Sequence, residues 1–422
     1  MRVRWLIIAV GFAFSLPSCV RSPESAVERR IERVERGLVT DYGDPLWKAK
    51  TLSERMDFFQ VPGVSMAVIN DYRIEWAKGY GVFEAGQKRP ISPETLFQAG
   101  SIGKLLVAVG ALHYVERGAL ELDGDVNRSL VSWKVPESEF TATEKVTLRR
   151  LLSHSAGMTV AGFQGYAQGE EVPDLRQVLD GTPPANSPPI RVGAVPGKVY
   201  RYSGGGYVVV QQLLEDVARR PFPDIMRDIV LKPMGMQSST FESPLPEQRR
   251  SLAATGHRAD GAAISGKWHI YPEMGSGASM WTTPSDVARF IIGIMLSFAG
   301  RSDAILSEQM TRQMLSPQIR DRGLGPVVGD DGGDLFYFLH PGANAGYCSY
   351  VIAYPKRGQG IVIMTNGENG AALCHEIVRS VSREYGWVRD YTRLYVSIAL
   401  AVVVALLVTI VRYLRARRHP AL

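Results

Sequence analysis

The chain has 422 residues, 45% of them hydrophobic and 21% charged, a balance that suits a globular protein and excludes a disordered one. The length accommodates two domains, or one large domain with an insertion. The formal net charge is +6, but Arg2, Arg4, Arg21, Arg412, Arg415, Arg417 and Arg418 lie in acid-free ends, so residues 22–393 carry a net −1 and no basic footprint for nucleic acid.

In chain order, Arg2 and Arg4 precede an apolar run, Trp5 to Leu16, that is too short to span a bilayer. Residues 1–19 therefore read as a secretory signal peptide. Its end, Leu16-Pro17-Ser18-Cys19, resembles a bacterial lipoprotein processing box, in which Cys19 would carry the lipid; an ordinary signal or an uncleaved anchor is the alternative. Ala26, Ile31, Val34 and Leu38 mark an amphipathic helix, followed by a turn at Asp41–Pro45. Val64–Asn70 and Ile74–Gly79, split by Asp71-Tyr72-Arg73, predict a hairpin. Phe97-Gln98-Ala99-Gly100 leads into Ser101, and an apolar stretch with helical spacing continues to about Arg117. Mixed helices and Pro/Gly-rich loops follow to about 250.

Thr283-Pro284-Ser285-Asp286 combines an N-cap, a proline at the first helical position and an acid in the first turn, and opens a helix to about Phe298. Val351–Tyr354 and Ile361–Thr365 predict a second hairpin, and a last helix runs from about Ala371 to Tyr385. Strands near both ends around a helical middle predict a sheet domain over 22–390, with a helical insertion at about 105–250. Leu394 to Val411 holds no charge, has Tyr391, Tyr395 and Tyr413 near its ends, and predicts a transmembrane helix. The basic tail, 412–422, places the cytoplasm after that helix and everything before it outside. Cys348 and Cys374 would then face an oxidising compartment, as a disulfide or as two buried thiols.

The chemistry centres on Ser101-Ile102-Gly103-Lys104. If Ser101 opens a helix, Lys104 shares its face three residues on, and its amine reaches the hydroxyl. Serine is a poor nucleophile until a neighbouring base takes its proton, and lysine can act so where burial or nearby charge favours its neutral form. A phosphate-binding loop would need glycine at 98 and a hydroxyl residue at 105, where the chain has Gln98 and Leu105. An α/β-hydrolase elbow would need glycine at 99; Ala99-Gly100-Ser101-Ile102-Gly103 misses that pattern by one residue and stays a minor alternative. The seven histidines show no metal-binding spacing, and no cofactor is expected.

Phe97–Lys104, followed by Leu151-Leu152-Ser153-His154-Ser155-Ala156-Gly157-Met158, resembles the serine β-lactamase/penicillin-binding-protein superfamily, particularly its class C, esterase and D-aminopeptidase-like branch. Tyr200–Tyr207 resembles the family's Y-x-N segment. Gly277–Asp286 resembles the stretch before its late helix. His340-Pro341-Gly342 falls where the family has K-T-G or H-x-G, just before a strand. The resemblance spans about residues 50–387. It implies an α+β fold of the β-lactamase/transpeptidase type, an antiparallel sheet flanked by helices with an inserted helical domain.

The resemblance also implies roles. Ser101 would form an acyl-enzyme, Lys104 would accept its proton, and Tyr202 would relay it. The backbone N–H groups of Ser101 and Ala343 would form the oxyanion hole, and His340 and Gly342 would border the substrate. His154 is more often structural in this family, and Trp281 could be pocket wall or core. Two departures stand out: Gly204 replaces the asparagine of Y-x-N, and His340 replaces the commoner lysine. Both argue against true β-lactamase or D-Ala-D-Ala carboxypeptidase activity. The expected function is a membrane-anchored, bacterial envelope serine hydrolase acting on a small-molecule or peptide substrate through an ester, amide or peptide bond. A non-hydrolysing envelope binding or scaffold protein is the alternative from another class.

Overall fold

The computed structural model describes residues 23–38 and 49–387. The signal peptide with Cys19, the turn at Asp41–Pro45, the apolar segment 394–411 and the basic tail lie outside the described residues. Among those described, no helix is long and apolar enough to cross a membrane.

The described residues form eight strands: β1 (Gly63–Asn70), β2 (Arg73–Gly81), β3 (Phe97–Gln98), β4 (Trp281–Thr282), β5 (Val327–Asp330), β6 (Phe336–Asn344), β7 (Tyr347–Tyr354) and β8 (Gln359–Thr365). Six form one antiparallel sheet in the order β2-β1-β8-β7-β6-β5. Both chain ends of the domain thus meet in its centre, where β1 pairs with β8. The central strands are near-continuous apolar runs because both faces are covered. Side chains alternate across the sheet with period two. Val64, Met66 and Val68 of β1, with Ile361 and Ile363 of β8, pack toward the helices Pro23–Glu35 and Gly370–Tyr385. Ala67, Ile69, Val362 and Met364 pack on the other face, against the helix Pro284–Phe298.

The capping signal at Thr283 folds as read: its side chain accepts from Asp286 N, Pro284 is the first helical residue, and the helix ends at Phe298. The first hairpin and the terminal helix also match. Between β3 and β4 the regular elements are helices joined by long loops, with the long helices Gly103–Glu116 and Gly204–Ala218 sharing one apolar core with the inner sheet face. Cys348 and Cys374 are both buried and unbridged. Trp281 is core, 2% exposed and edge-on to Trp268.

Two local expectations need correction. Ser101 does not open the α-helix: it sits inside a 3₁₀ turn, Gly100–Ile102, and the α-helix begins at Gly103. His340-Pro341-Gly342 lies within β6 rather than before a strand. The pairing of β3 with β4 joins Phe97-Gln98 to Trp281-Thr282, and two-residue strands carry no sequence period by which to find them.

Candidate active site

The serine is held by close backbone packing. Gly100 has φ +55°, and a Cβ there would lie 2.7 Å from Ala343 N, so both conformation and space require glycine. On the facing strand a Cβ on Gly342 would fall 2.2 Å from Ala99 O and 3.2 Å from Ser101 N. Ser349 Oγ of β7 donates to Ala99 O at 2.7 Å. β6 is therefore pressed against segment 99–101, which brings the backbone of Ala343 beside that of Ser101.

The 3₁₀ turn keeps Lys104 over Ser101, because residues three apart nearly eclipse in that geometry. Lys104 is 2% exposed. Its Nζ donates to Ser276 O at 2.6 Å and lies 3.1 Å from Ser101 Oγ. The Tyr202 and Tyr207 rings stand 5.1 and 5.6 Å from the amine. Gly277, at φ +81°, lets the Ser276 segment pack directly on the helix start; a Cβ there would meet Lys104 N at 2.8 Å.

Tyr202 comes from the other side of the cleft, and its hydroxyl donates to Ser101 Oγ at 2.7 Å. The residue precedes the N-cap Ser203, whose Oγ accepts from Gly206 N at 2.9 Å. His154 brackets it. Arg201 N donates to His154 O at 2.8 Å, Ser203 N donates to His154 Nδ1 at 3.2 Å, and the His154 and Tyr202 rings lie 4.3 Å apart. His154 holds φ +57°, a left-handed conformation that histidine adopts only when its surroundings impose it. Burial, then the Lys104 charge, holds the imidazole well below its usual pKa, so it is neutral. With Nδ1 accepting, its proton sits on Nε2.

His340 is 3% exposed and also neutral; burial first, then the Lys104 charge, pushes its pKa down to about 3. Its Nδ1 lies 2.6 Å from Pro341 O, an oxygen that can only accept, so Nδ1 carries the proton. A fixed positive charge for a substrate carboxylate is absent at this position. Gly204, the other departure, starts the helix Gly204–Ala218 with no side chain toward Lys104.

Ser101, Lys104, Tyr202, His340, Gly342 and Ala343 thus come together from three elements and a strand. Sequence reasoning missed Ser276, which acts through its carbonyl and has no side-chain signature. It also passed over the bracketing of Tyr202 by His154, whose only trace was the Ser153–Met158 segment.

A buried acid, Glu273, lies three residues before Ser276, whose Oγ donates to its backbone oxygen at 2.6 Å. Glu273 is 0% exposed, neither carboxyl oxygen has a partner among the described residues, and burial pushes its pKa up to about 8. These groups set the pH dependence of stability. The unfolded chain binds protons at histidine below about 6.5, which the buried His154 and His340 refuse. Stability is therefore lost as pH falls below that value, by about 1.4 kcal/mol per pH unit for each histidine. Glu273 acts oppositely, since the folded state keeps a proton that the unfolded state releases near 4.5. Its contribution is lost as pH rises toward about 8. Melting temperature should peak near pH 6.5, and Glu273→Gln should remove the alkaline fall and steepen the acid fall between about 4.5 and 6.5, where Glu273 opposes the histidines. An alkaline limb unchanged in that variant would show that Glu273 is not its source.

An antiparallel sheet flanked by helices, with a serine held between a buried lysine and a tyrosine, defines an active-serine protein of the β-lactamase/transpeptidase type. The chain belongs to the Beta-lactamase family, whose model matches residues 49–378. It is 26% identical over 345 residues to penicillin-binding protein 4 of Amycolatopsis lactamdurans, covering 78% of this chain and 87% of that one. It is 28% identical over 213 residues to the unguisins hydrolase ungD' of Aspergillus campestris, covering 47% of this chain and 37% of that protein. The fold is similar to that of D-alanine carboxypeptidase AmpC from Burkholderia cenocepacia, with a TM-score of 0.65, 18% identity, and coverage of 86% and 100%. The fold and these relatives support a function of the serine-hydrolase type.

Proposed function

We propose that the protein is a membrane-tethered acyl hydrolase of the bacterial envelope, with its catalytic domain outside the cytoplasmic membrane. The observation that carries this reading is the convergence on Ser101 Oγ of Tyr202 OH at 2.7 Å and Lys104 Nζ at 3.1 Å. Ser101 Oγ attacks the substrate carbonyl carbon, and its proton passes to the lone pair of Lys104, which acts as base in its uncharged form. The oxyanion is held by the backbone N–H groups of Ser101 and Ala343. Tyr202 delivers the proton to the leaving group as the carbonyl's bond to that group breaks. Water then attacks the acyl carbon as Tyr202 and Lys104 together relay one of its protons; that proton returns to Ser101 Oγ as the Oγ–acyl bond breaks, and the free acid leaves. His340 and Gly342 border the substrate without supplying charge.

Neutral His340 and the side-chain-free Gly204 favour esters or short peptides over β-lactams and D-Ala-D-Ala termini. The apolar segment 394–411 with its basic tail supports the membrane anchor, and the leader supports export. An α/β-hydrolase mechanism is set aside: the sheet is antiparallel, and the hydrogen-bond partners of Ser101 Oγ are lysine and tyrosine rather than histidine.

The test is acylation of the full chain in detergent by a fluorescent penicillin and by a fluorophosphonate, read by intact mass and peptide mapping. A single adduct on Ser101 is expected, faster with the fluorophosphonate. No adduct from either probe on folded protein would overturn the hydrolase reading and favour the binding protein, to which Gly204 also points.

A further inference from the structure

The two N–H groups that would hold the oxyanion belong to segments with no ladder between them. Ser101 follows β3, whose partner is β4, whereas Ala343 belongs to β6, which pairs with β5 and β7. Among the described residues no backbone hydrogen bond joins β6 to residues 97–104. The glycine contacts press the two segments together, but bare contact does little against sliding. Ser349 Oγ ties Ala99 O to β7 rather than to β6.

Asn344, the residue after Ala343, supplies the missing direction. Its Nδ2 donates to Gln98 Oε1 and to Ala278 O, both at 2.8 Å. A carboxamide nitrogen has two hydrogens, so both are used and the side chain is fixed. Gln98 ends β3 three residues before Ser101 and is 2% exposed. Its own Nε2 donates to His269 O at 2.8 Å, so its amide is held at both atoms. Ala278 lies just beyond the 3₁₀ turn Met274–Ser276, and its N–H donates to Ser276 Oγ at 3.3 Å. Ser276 O is the oxygen that accepts from Lys104 Nζ. One carboxamide thus joins the strand of the oxyanion donor to the strand before the nucleophile and to the turn that holds the base.

We propose that Asn344 is a positioning residue for acyl transfer: acting through Gln98 and Ala278, it keeps Ala343 N aligned with Ser101 and Lys104. The inference rests on the serine-hydrolase reading above and adds the group that fixes its oxyanion hole. The oxyanion forms only after attack on the carbonyl. A displaced donor therefore weakens the transition state and leaves substrate binding alone.

The test uses the full chain in detergent with p-nitrophenyl butyrate, and a fluorophosphonate to count reactive serines. Asn344→Leu keeps the shape of the side chain and removes both donors. Its kcat should fall about 10–100-fold with KM within about threefold of wild type, the scale that a displacement of about 1 Å produces. Asn344→Asp, of the same size but facing two acceptors with a carboxylate at pH 8, should lose at least as much. Gln98→Met removes one acceptor and should lose less, and its combination with Asn344→Leu should be no worse than Asn344→Leu alone, since the two side chains act as one tie. Melting curves identify any variant that does not fold; if Asn344→Leu is one, Asn344→Asp and Gln98→Met decide. A folded Asn344 variant whose kcat stays within about threefold of wild type would overturn the proposal, as would a loss carried by KM alone. Wild type that neither hydrolyses the ester nor takes the fluorophosphonate would instead overturn the hydrolase reading, and the inference with it.

Discussion

Lys104→Met should abolish acylation of Ser101, lowering its rate on the order of 10⁴-fold or more, as Ser101→Ala abolishes it outright. The amine is buried, 3.1 Å from Ser101 Oγ, and is held by the carbonyl of Ser276. Among the described residues, the side-chain partners of Oγ are Lys104 and Tyr202, and Tyr202 donates to it. Methionine keeps the length and fills the space, so the variant should fold, although Ser276 O loses its donor at a cost of about 1–3 kcal/mol. Lys104→Ala should be equally inactive and less stable, since it leaves a cavity. Ser101→Ala with Lys104→Met should be no worse than Ser101→Ala alone, because groups that act as one unit are not additive. Intact-mass labelling rates, with melting temperatures beside them, decide the matter. A Lys104→Met protein that labels within tenfold of wild type would refute the role of the lysine.

Tyr202→Phe carries the second large effect. The variant keeps the ring packed at 4.3 Å on His154 and loses only the hydroxyl 2.7 Å from Ser101 Oγ. Stability should change by about 1 kcal/mol, the usual worth of one hydrogen bond. Turnover should fall about 10²–10⁴-fold, the range that positioned proton transfer supplies. The loss should be smaller for esters with good leaving groups, which need less protonation on departure. Steady-state rates on p-nitrophenyl and alkyl esters of one acid measure both effects. Equal losses on the two leaving groups would place the tyrosine in the attack on the carbonyl rather than in its breakdown.

The two departures from the family's motifs now have physical content. His340 is held neutral by burial first and then by the Lys104 charge, so it does not mimic a lysine toward a carboxylate. Gly204 begins the helix Gly204–Ala218, where a Cβ would approach Ala161 O and the Phe163 ring to 3.2 Å.

Much of this was written in local sequence. The N-cap at Thr283, the hairpins and the amphipathic terminal helix follow from capping chemistry and period-two or 3.6-residue patterns, which act over a few residues. Ser101 and Lys104 are likewise three residues apart, and any helical turn brings them together. Tertiary structure alone decided what is distant in the chain. It paired the first and last long strands, inserted His340 into β6, and closed Gly100 on Ala343 and Gly277 on Lys104. It set Tyr202 over Ser101 through His154, and it placed Phe163 against Gly204. Those contacts run through backbone carbonyls, glycine surfaces and two-residue strands, which carry no period and no side-chain signature. The reason is physical: local propensity governs turns and helices, whereas the meeting of remote segments is governed by burial and close packing, which exist only once the chain is folded.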